Sequence, residues 1–388
     1  MTKYQTARTF MVFFIGLMIC NQTIRSLAYV NLMYIFFFSA LLLFFGVKLR
    51  VLNSWNYVKS LDLGVAIFGG FIVSYAFIST ILNQKFEWGK LFELSVLFLF
   101  YFLGREIKKE DIFTLSNIIL FFGFLHSIFL VYDRGYVYSS GVNYLLMSIA
   151  VGLSCCISYL RFFYSPSKVK KIFFILIALV TWLGLFSMQS RAVFLFAFGY
   201  YLLLPTFILK GKAKTKFIIF ISMSVFVVIS YFYQDIVYFY ENSKIYQRMS
   251  DLFFNYQNEP RIVTYTTFFS HLSEFWFSGY GLNQTSSNIY VYTIEKYPHN
   301  FVLEFWSEFG LLGLSFALVF SFMPFFYIFK KRKVSEEEYI SILIYLYYLM
   351  NFMKSFSIYD SSMLFLSAGI VVSLFKYSNV PSLDHRFR

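Results

Sequence analysis

Long apolar runs separated by short polar loops make up most of the chain. A helix needs about 20 apolar residues to cross a bilayer, and most of the runs approach or reach that length. The pattern predicts about twelve membrane-spanning helices, at residues 8–23, 27–47, 61–82, 91–104, 113–132, 142–164, 172–189, 191–209, 217–236, 301–329, 339–356 and 361–376. The fourth run is short, which is typical of a tilted or re-entrant segment. We therefore expect an all-α polytopic membrane protein that forms one integral membrane domain over residues 1–388.

The composition agrees with this class. The chain is 59% hydrophobic and only 14% charged, whereas water-soluble domains average about 25% charged residues. The net charge of +13 would suggest nucleic-acid binding in a soluble protein. Here the basic residues concentrate in short loops between the apolar runs, where orientation in the bilayer explains them better. We therefore expect no nucleic-acid partner.

Alternate loops carry most of the basic residues. These are Lys48, Arg50, Lys59, Arg105, Lys108, Lys109, Lys168, Lys170, Lys171, Lys210, Lys212, Lys214, Lys216, Lys330, Lys331, Arg332 and Lys333. Short cytoplasmic loops carry an excess of Lys and Arg, so the pattern places these loops and both termini in the cytoplasm.

The same topology places one long segment, residues 237–300, on the outer side of the membrane. Aromatic residues at three- and four-residue spacing over 245–256 and 262–277 predict short amphipathic helices on the outer leaflet. Gly279, Gly281 and Asn283 then break the helical pattern.

Three arginines on the outer side are candidates for binding a phosphate group. Arg191 follows Ser190 at a turn between two spans and lies ~27 Å along a helix from Lys210, close to one hydrocarbon thickness. It either extends to lipid headgroups or grips a lipid-linked phosphate, for which the guanidinium geometry suits arginine. Arg248 and Arg261 lie in the long outer loop, where each is either a headgroup or substrate contact or a solvated charge.

A Pro-His-Asn step precedes the tenth span. Pro298 suits the first position of a helix, which would place His299 in the first turn. The positive helix end there favours a neutral imidazole that can accept a proton. Asn300 is expected to orient the ring or to bind a sugar hydroxyl. The alternative is a structural histidine with no role in chemistry.

Carboxylates follow this step. Glu304 and Glu308 are one turn apart and share a helix face. Carboxylates at a membrane are usually functional or paired, so Glu304 is a candidate for substrate binding, and Glu308 either acts there or pairs with an arginine. His271 and Glu274, at i and i+3, are expected to form a structural pair.

Several motifs are missing from the sequence. It has no Asp-x-Asp pair, no glycine-rich phosphate loop and no His-Glu-x-x-His, and Cys20, Cys155 and Cys156 lack the spacing of a zinc site. We predict no metal and no cofactor, and an outward-facing site needs a substrate that arrives already activated. Duplicated halves, common in carriers, are also absent, which disfavours a transporter or flippase without excluding it.

Three segments resemble the O-antigen ligase and O-antigen polymerase superfamily of bacterial envelope enzymes. They are QSRAVF at Gln189–Phe194, the Arg261 helix leading to SGYGLN at Ser278–Asn283, and YPHNFVLEFWSEFGLLG at Tyr297–Gly313. Their order and the long outer loop match the pattern of this superfamily from Gly184 to Phe329. The first 140 residues carry no matching motif.

The resemblance implies a metal-independent glycosyltransferase with a C-type membrane fold in the bacterial inner membrane. Its site would face the periplasm and use an undecaprenyl-pyrophosphate-linked glycan. By the resemblance, Arg191 and Arg261 would hold the pyrophosphate and His299 would activate the acceptor hydroxyl. Arg248, Asn300 and Glu304 are the expected substrate-binding residues.

The acceptor divides the superfamily. A polymerase joins one lipid-linked glycan to another, and a ligase transfers the finished chain to lipid A-core. The Tyr-Pro-His-Asn form followed by Leu-Glu favours the polymerase. Membrane lipids and a chain-length regulator protein are further expected partners.

Overall fold

A computed structural model describes residues 3–28, 32–51, 60–82, 87–132, 144–188, 190–209, 260–290, 297–329 and 334–377, with Gly211 and Thr215. The fold in these ranges is helical. The helices are α1 Lys3–Ile19, α2 Asn21–Ala28, α3 Met33–Val51, α4 Ser60–Leu82, α5 Trp88–Arg105, α6 Asp111–Tyr132, α7 Tyr144–Tyr164, α8 Lys168–Ser187, α9 Arg191–Ile208, α10 Pro260–Ser270, α11 Leu272–Phe275, α12 Thr285–Asn288, α13 Phe301–Phe329, α14 Glu336–Phe352 and α15 Ser362–Tyr377.

Five helices are long and apolar enough to cross a membrane. They contain the stretches Gly64–Ile81, Asp111–Tyr132, Met147–Tyr164, Lys168–Ser187 and Phe301–Phe326. Shorter apolar stretches lie in α1, α3, α9 and α15. The described chain is therefore an all-helical, multi-pass membrane protein by length and composition. The total of twelve spans stays a prediction, and the expected span at 217–236 and the helix at 245–256 lie outside the described residues.

Most predicted spans in the described ranges coincide with observed helices, but the first two, predicted at 8–23 and 27–47, are observed at Lys3–Ile19 and Met33–Val51. The run at 61–82 corresponds to Ser60–Leu82, and the run at 142–164 corresponds to Tyr144–Tyr164. The sequence analysis missed α2, which has only 8 residues. An element of two turns is too short to show a clear helical period in the sequence.

The chain forms two compact units. The first unit comprises Met1–Ile119 and Thr264–Arg388, and the second comprises Leu120–Val263. In the first unit, α5 packs along α15, which also contacts α14 and α13, while α13 contacts α4. Two glycines allow α5 and α15 to approach closely, because a Cβ at Gly104 would lie 2.0 Å from the Leu366 carbonyl oxygen and one at Gly369 would lie 2.2 Å from that of Tyr101.

Aromatic rings fill the space between α13 and α15. The rings of Phe320 and Phe365 stack with centroids 4.3 Å apart, and the ring of Phe316 lies 5.5 Å from that of Phe320. The ring of Phe301, at the start of α13, lies 6.3 Å from that of Phe365. These contacts attach the first turn of α13 to the core of the first unit.

Helix ends that the topology places in the cytoplasm contact one another in the first unit. Lys109, ahead of α6, lies 3.5 Å from Glu337 at the start of α14. Ser373, near the end of α15, donates a 2.9 Å hydrogen bond to the carbonyl of Arg105 at the end of α5. The contacts agree with the predicted alternation of these helices, and the side that each end faces stays a prediction.

In the second unit, α7 packs against α8 and α9. The rings of Tyr159 and Tyr201 stack with centroids 3.8 Å apart and connect α7 to α9. On α8, Val169, Ile172 and Phe173 are each more than half exposed. Apolar side chains that face outward along a membrane helix are suited to contact with lipid.

Candidate functional site

The helix that follows the long segment 237–300 is divided in two. Gly310 in α13 has φ 59° and ψ −146°, which separates residues 301–309 from residues 311–329. The sequence analysis predicted one uninterrupted span. All 29 residues of α13 would extend ~43 Å, which exceeds the ~30 Å hydrocarbon core. Residues 311–329 alone extend ~28 Å, so the part beyond the break suffices to cross the membrane.

A loop with left-handed residues fills the break. Gly279, Gly281 and Asn283 have φ of 75°, 98° and 55°, which confirms the predicted interruption at these positions. We call residues 278–283 the glycine loop. Its Tyr280 and Gly281 amides donate to the carbonyl oxygens of residues 307 and 308 at 2.8 and 2.9 Å. The loop therefore satisfies carbonyl groups that the interrupted helix cannot pair, as buried backbone requires.

The loop and the break approach so closely that glycine is required. A Cβ on Gly310 would lie 1.9 Å from the carbonyl oxygen of Phe277, and one on Gly279 would lie 2.4 Å from that of Glu308. The Leu311 amide, which follows the break, donates to the Phe277 carbonyl at 2.9 Å. The glycine loop and the backbone around Gly310 are thus in direct contact, and we call this contact the joint.

His299 lies just ahead of α13 and not within it. The helix begins at Phe301, three residues later than Pro298 would suggest, because Asn300 is the residue that caps it. The Asn300 Oδ1 accepts from the amides of Val302 and Leu303 at 3.0 and 3.1 Å. Asparagine is among the preferred N-cap residues because its side-chain oxygen satisfies these amides.

The backbone of His299 is left-handed, with φ 52°. Its ring is partly exposed and lies 4.2 Å from the ring of Tyr297, measured between centroids. A non-glycine residue in this region of φ/ψ space is uncommon and is held there by its surroundings. The imidazole therefore lies next to the capped N-terminal end of α13.

A polar stripe runs along the first half of α13. Asn300, Glu304 and Glu308 recur every four residues, and all three bind the connection between α14 and α15. Asn300 Nδ2 donates to the Met353 carbonyl at 3.0 Å. Both Glu304 oxygens are occupied, by the Ser357 hydroxyl at 2.6 Å and the backbone amide of residue 358 at 2.8 Å.

Glu308 completes the stripe. It is 1% exposed and accepts from the Tyr359 hydroxyl at 2.5 Å. The predicted shared face of Glu304 and Glu308 is confirmed, since both bind the same connection. The partner that the structure gives Glu308 is a tyrosine, where the sequence analysis considered an arginine.

Tyr359 was missed by the sequence analysis. It lies in a short 3-10 turn, Ile358–Asp360, and its hydroxyl also accepts from the Asn283 amide at 3.0 Å. The Lys90 ammonium of α5 lies 4.6 Å from the ring centroid. Burial raises the pKa of Tyr359 well above its usual value, so the phenol keeps its proton and donates it to Glu308. The only sequence signal was a polar run with one aromatic residue between two spans.

The segment from α10 to α12 packs on the first half of α13. Phe268, Phe275, Ile289 and Tyr290 form a buried cluster, against which Leu303 and Trp306 of α13 pack. The helix expected over 262–277 is two helices, with the break at His271. The predicted structural pair is confirmed, because His271 Nδ1 lies 2.9 Å from Glu274 Oε1.

The predicted arginines fall in the other unit or outside the described residues. Arg191 is the first residue of α9, and Arg261 is the second residue of α10 and is partly buried. Both belong to the second compact unit. Arg248 lies outside the described ranges. The first unit thus brings together His299, Asn300 and Glu304, and the placement of the arginines around them stays a prediction.

A comparison with known families assigns the central part of the chain. Residues 172–318 match the family model described as O-antigen ligase. This segment is similar to the O-antigen ligase family. The resemblance predicted from three short motifs is therefore confirmed. No curated protein and no solved structure matches the chain.

The O-antigen ligase region runs from the first turns of α8 to the part of α13 just beyond Gly310. It contains all six predicted site residues, Arg191, Arg248, Arg261, His299, Asn300 and Glu304. The side chains that hold Glu304 and Glu308 come from outside it, since Ser357 and Tyr359 follow its end. Among the described residues no cluster of three His, Cys, Asp or Glu side chains is arranged to hold a metal ion.

Proposed function

We propose that this protein is a membrane glycosyltransferase that uses an undecaprenyl-pyrophosphate-linked glycan at the periplasmic face of the bacterial inner membrane. We further propose that its acceptor is a second lipid-linked glycan, so that it polymerises repeat units of a surface polysaccharide. The observation that carries this proposal is the O-antigen ligase region, because it encloses Arg191, Arg261 and His299 in the order that the motifs predicted.

The reaction is a substitution at the anomeric carbon of the donor sugar. An acceptor hydroxyl oxygen forms a bond to this carbon while the bond from the carbon to the pyrophosphate oxygen breaks. The hydroxyl proton passes to the imidazole of His299. The electron pair of the broken bond leaves with undecaprenyl pyrophosphate. A positioned general base of this kind contributes typically ~10²–10⁴-fold in rate.

The two arginines are proposed to bind the leaving group. Guanidinium groups on Arg191 and Arg261 would neutralise the charge that develops on the pyrophosphate, and Arg248 would add a further cationic contact. Arginine suits this role because its planar donors pair with two phosphate oxygens at once. A site poor in water at the membrane edge would strengthen these charge interactions.

Asn300 and Glu304 are proposed to act by holding the site together. The side-chain oxygen of Asn300 caps α13, and both carboxylate oxygens of Glu304 bind the connection after α14. These contacts support a positioning role over the direct sugar contact suggested by the sequence. These contacts would support catalysis because they fix the first turn of α13, which lies next to His299.

A ligase is the second candidate function. It is favoured by the description of the matching family, which names O-antigen ligase. Donor and chemistry are the same, and only the acceptor changes to lipid A-core. A flippase for lipid-linked oligosaccharides is a more distant candidate from another functional class.

Deletion of the gene separates these candidates, with lipopolysaccharide examined by gel and lipid-linked glycans by extraction. Loss of a polymerase leaves a core that carries a single repeat unit. Loss of a ligase leaves a bare core, with long chains still on the lipid carrier. Lipid-linked units trapped on the cytoplasmic face would overturn both enzyme functions and favour the flippase. Complementation with the intact gene is the control.

A further inference from the structure

Tyr359 connects two parts of the site that are far apart in the sequence. Its hydroxyl donates to Glu308 on the first half of α13 at 2.5 Å. The same oxygen accepts from the backbone amide of Asn283 in the glycine loop at 3.0 Å. One oxygen atom thereby bridges the helix and the loop that fills its break.

The bridge is buried. Tyr359 is 8% exposed and Glu308 is 1% exposed. A second contact involves the ring itself, since the Lys90 ammonium lies 4.6 Å from its centroid and 2.8 Å from the Glu93 carboxylate. A buried hydrogen-bond network of this kind specifies one arrangement, because losing any member leaves a polar group without a partner.

Asn283, whose backbone amide donates to the Tyr359 hydroxyl, has an uncommon backbone conformation. Asn283 has φ 55°, which is uncommon for a residue with a side chain. Residues held in such conformations persist only where their surroundings determine them. The Ser79 hydroxyl accepts from the neighbouring Leu282 amide at 3.3 Å. Together Tyr359 and Ser79 hold the end of the glycine loop on two sides.

The loop in turn holds the helix that begins next to His299. Its Tyr280 and Gly281 amides bind the carbonyls of residues 307 and 308, so a shift of the loop moves the last turn before Gly310. Because residues 301–309 form one short helix capped by Asn300, that shift is transmitted to the residue before the cap.

We propose that Tyr359, acting with Glu308, is a positioning residue that sets the orientation of His299 by fixing the glycine loop and the first half of α13 together. This inference rests on the proposed function. It adds a residue outside the O-antigen ligase region to the machinery of the reaction. Tyr359 itself does not contact the reacting atoms in this proposal.

The decisive variant is Tyr359→Phe, which keeps the ring and removes the bridging oxygen. The full chain is purified in lipid nanodiscs and supplied with lipid-linked repeat units extracted from cells that lack the gene. Misplacing a catalytic group by about 1 Å can cost ~100-fold in rate, so we expect kcat to fall about 10- to 100-fold. KM for the donor should change less than about twofold, because the binding arginines are untouched.

Tyr345→Phe is the matched control. The Tyr345 hydroxyl is also buried and also donates to α13, at the Ser321 carbonyl beyond the break. Both substitutions remove one tyrosine hydroxyl that binds the same helix, so their thermal midpoints should fall by similar amounts. Only Tyr359→Phe should lower kcat. Equal kcat values for the two variants would overturn the positioning role.

Substitutions at Glu308 give an independent readout if Tyr359→Phe does not fold. Glu308→Gln keeps an oxygen that accepts from the phenol, so it should retain kcat within about threefold of wild type, and Glu308→Ala should not. Equal loss in both Glu308 variants would contradict the proposal. Full activity of His299→Ala in the same assay would instead refute the proposed function and leave the geometry of the bridge unaffected.

Discussion

At the scale of single residues, His271 and His299 lie in the segment that is predicted to be outside the membrane, and their surroundings differ. His271 pairs with Glu274, which also accepts from the Tyr280 hydroxyl. His299 has a left-handed backbone and stands at the capped start of α13. His271 is thus bound to Glu274 at the surface, and His299 lies at the end of a helix. Both residues are within the O-antigen ligase region.

This contrast gives a matched pair of variants. His299→Ala should lower glycan transfer by ~10²–10⁴-fold, since it removes the proposed base. His271→Ala should keep transfer near the wild-type level, because an exposed pair of this kind adds little to stability. The readout is polymer length on lipopolysaccharide gels at equal protein level. Short glycan in both variants, or in neither, would contradict the role of His299.

The sequence pointed to candidate site residues in recognisable motifs and missed the residues that contact them. Pro298 suggested an earlier helix start, but Asn300 caps the helix and α13 begins at Phe301. The sequence does not point to Tyr359, because its neighbours in the chain do not distinguish it from the other 31 tyrosines. Its importance arises from contacts with residues 51 and 76 positions away, which periodicity does not report.

At the scale of elements, most spans were predictable because the apolar run in the sequence is about as long as the membrane helix that it forms. The break at Gly310 was not predictable, since one glycine barely changes the hydrophobicity of a long apolar run. Gly279 and Gly310 face each other's backbones across the joint, and neither leaves room for a Cβ. The element that results is a short helix that folds back along a longer one, since the Phe305 and Phe316 rings lie 5.3 Å apart.

Alanine substitutions test this joint. Gly310→Ala should lower the free energy of unfolding by about 3 kcal/mol, because the methyl group would overlap the Phe277 carbonyl and φ is positive. Gly70→Ala is the control, since nothing lies within 4 Å of a Cβ there and alanine favours a helix. The measurement is the thermal unfolding midpoint in detergent. A midpoint for Gly310→Ala as high as that of Gly70→Ala would rule out the close approach.

At the scale of the whole molecule, the topology is open to direct measurement. The native cysteines Cys20, Cys155 and Cys156 are buried, so they give a low background for labelling. Ser270, the last residue of the Arg261 helix, is exposed, and Glu110 is 73% exposed between α5 and α6. The predicted alternation places these two positions on opposite sides of the membrane.

A membrane-impermeant maleimide should therefore label Ser270→Cys in intact spheroplasts. Glu110→Cys should react only after the membrane is permeabilised, because the basic loops are assigned to the cytoplasm. Both variants should react fully in detergent, which controls for local accessibility. Labelling of Glu110→Cys in intact spheroplasts would reverse the orientation and place His299 in the cytoplasm.

The division of α13 also sets where its first half lies. The Phe305 ring is 5.3 Å from that of Phe316 and the Phe301 ring is 6.3 Å from that of Phe320, so residues 301–309 fold back along residues 311–320. An uninterrupted helix would hold Phe301 and Phe320 ~28 Å apart. The helix is thus a hairpin that bends at Gly310, and its free end, next to His299, lies beside the longer half. We expect a lipid-linked sugar to meet the imidazole alongside a spanning helix, without having to rise clear of the bilayer.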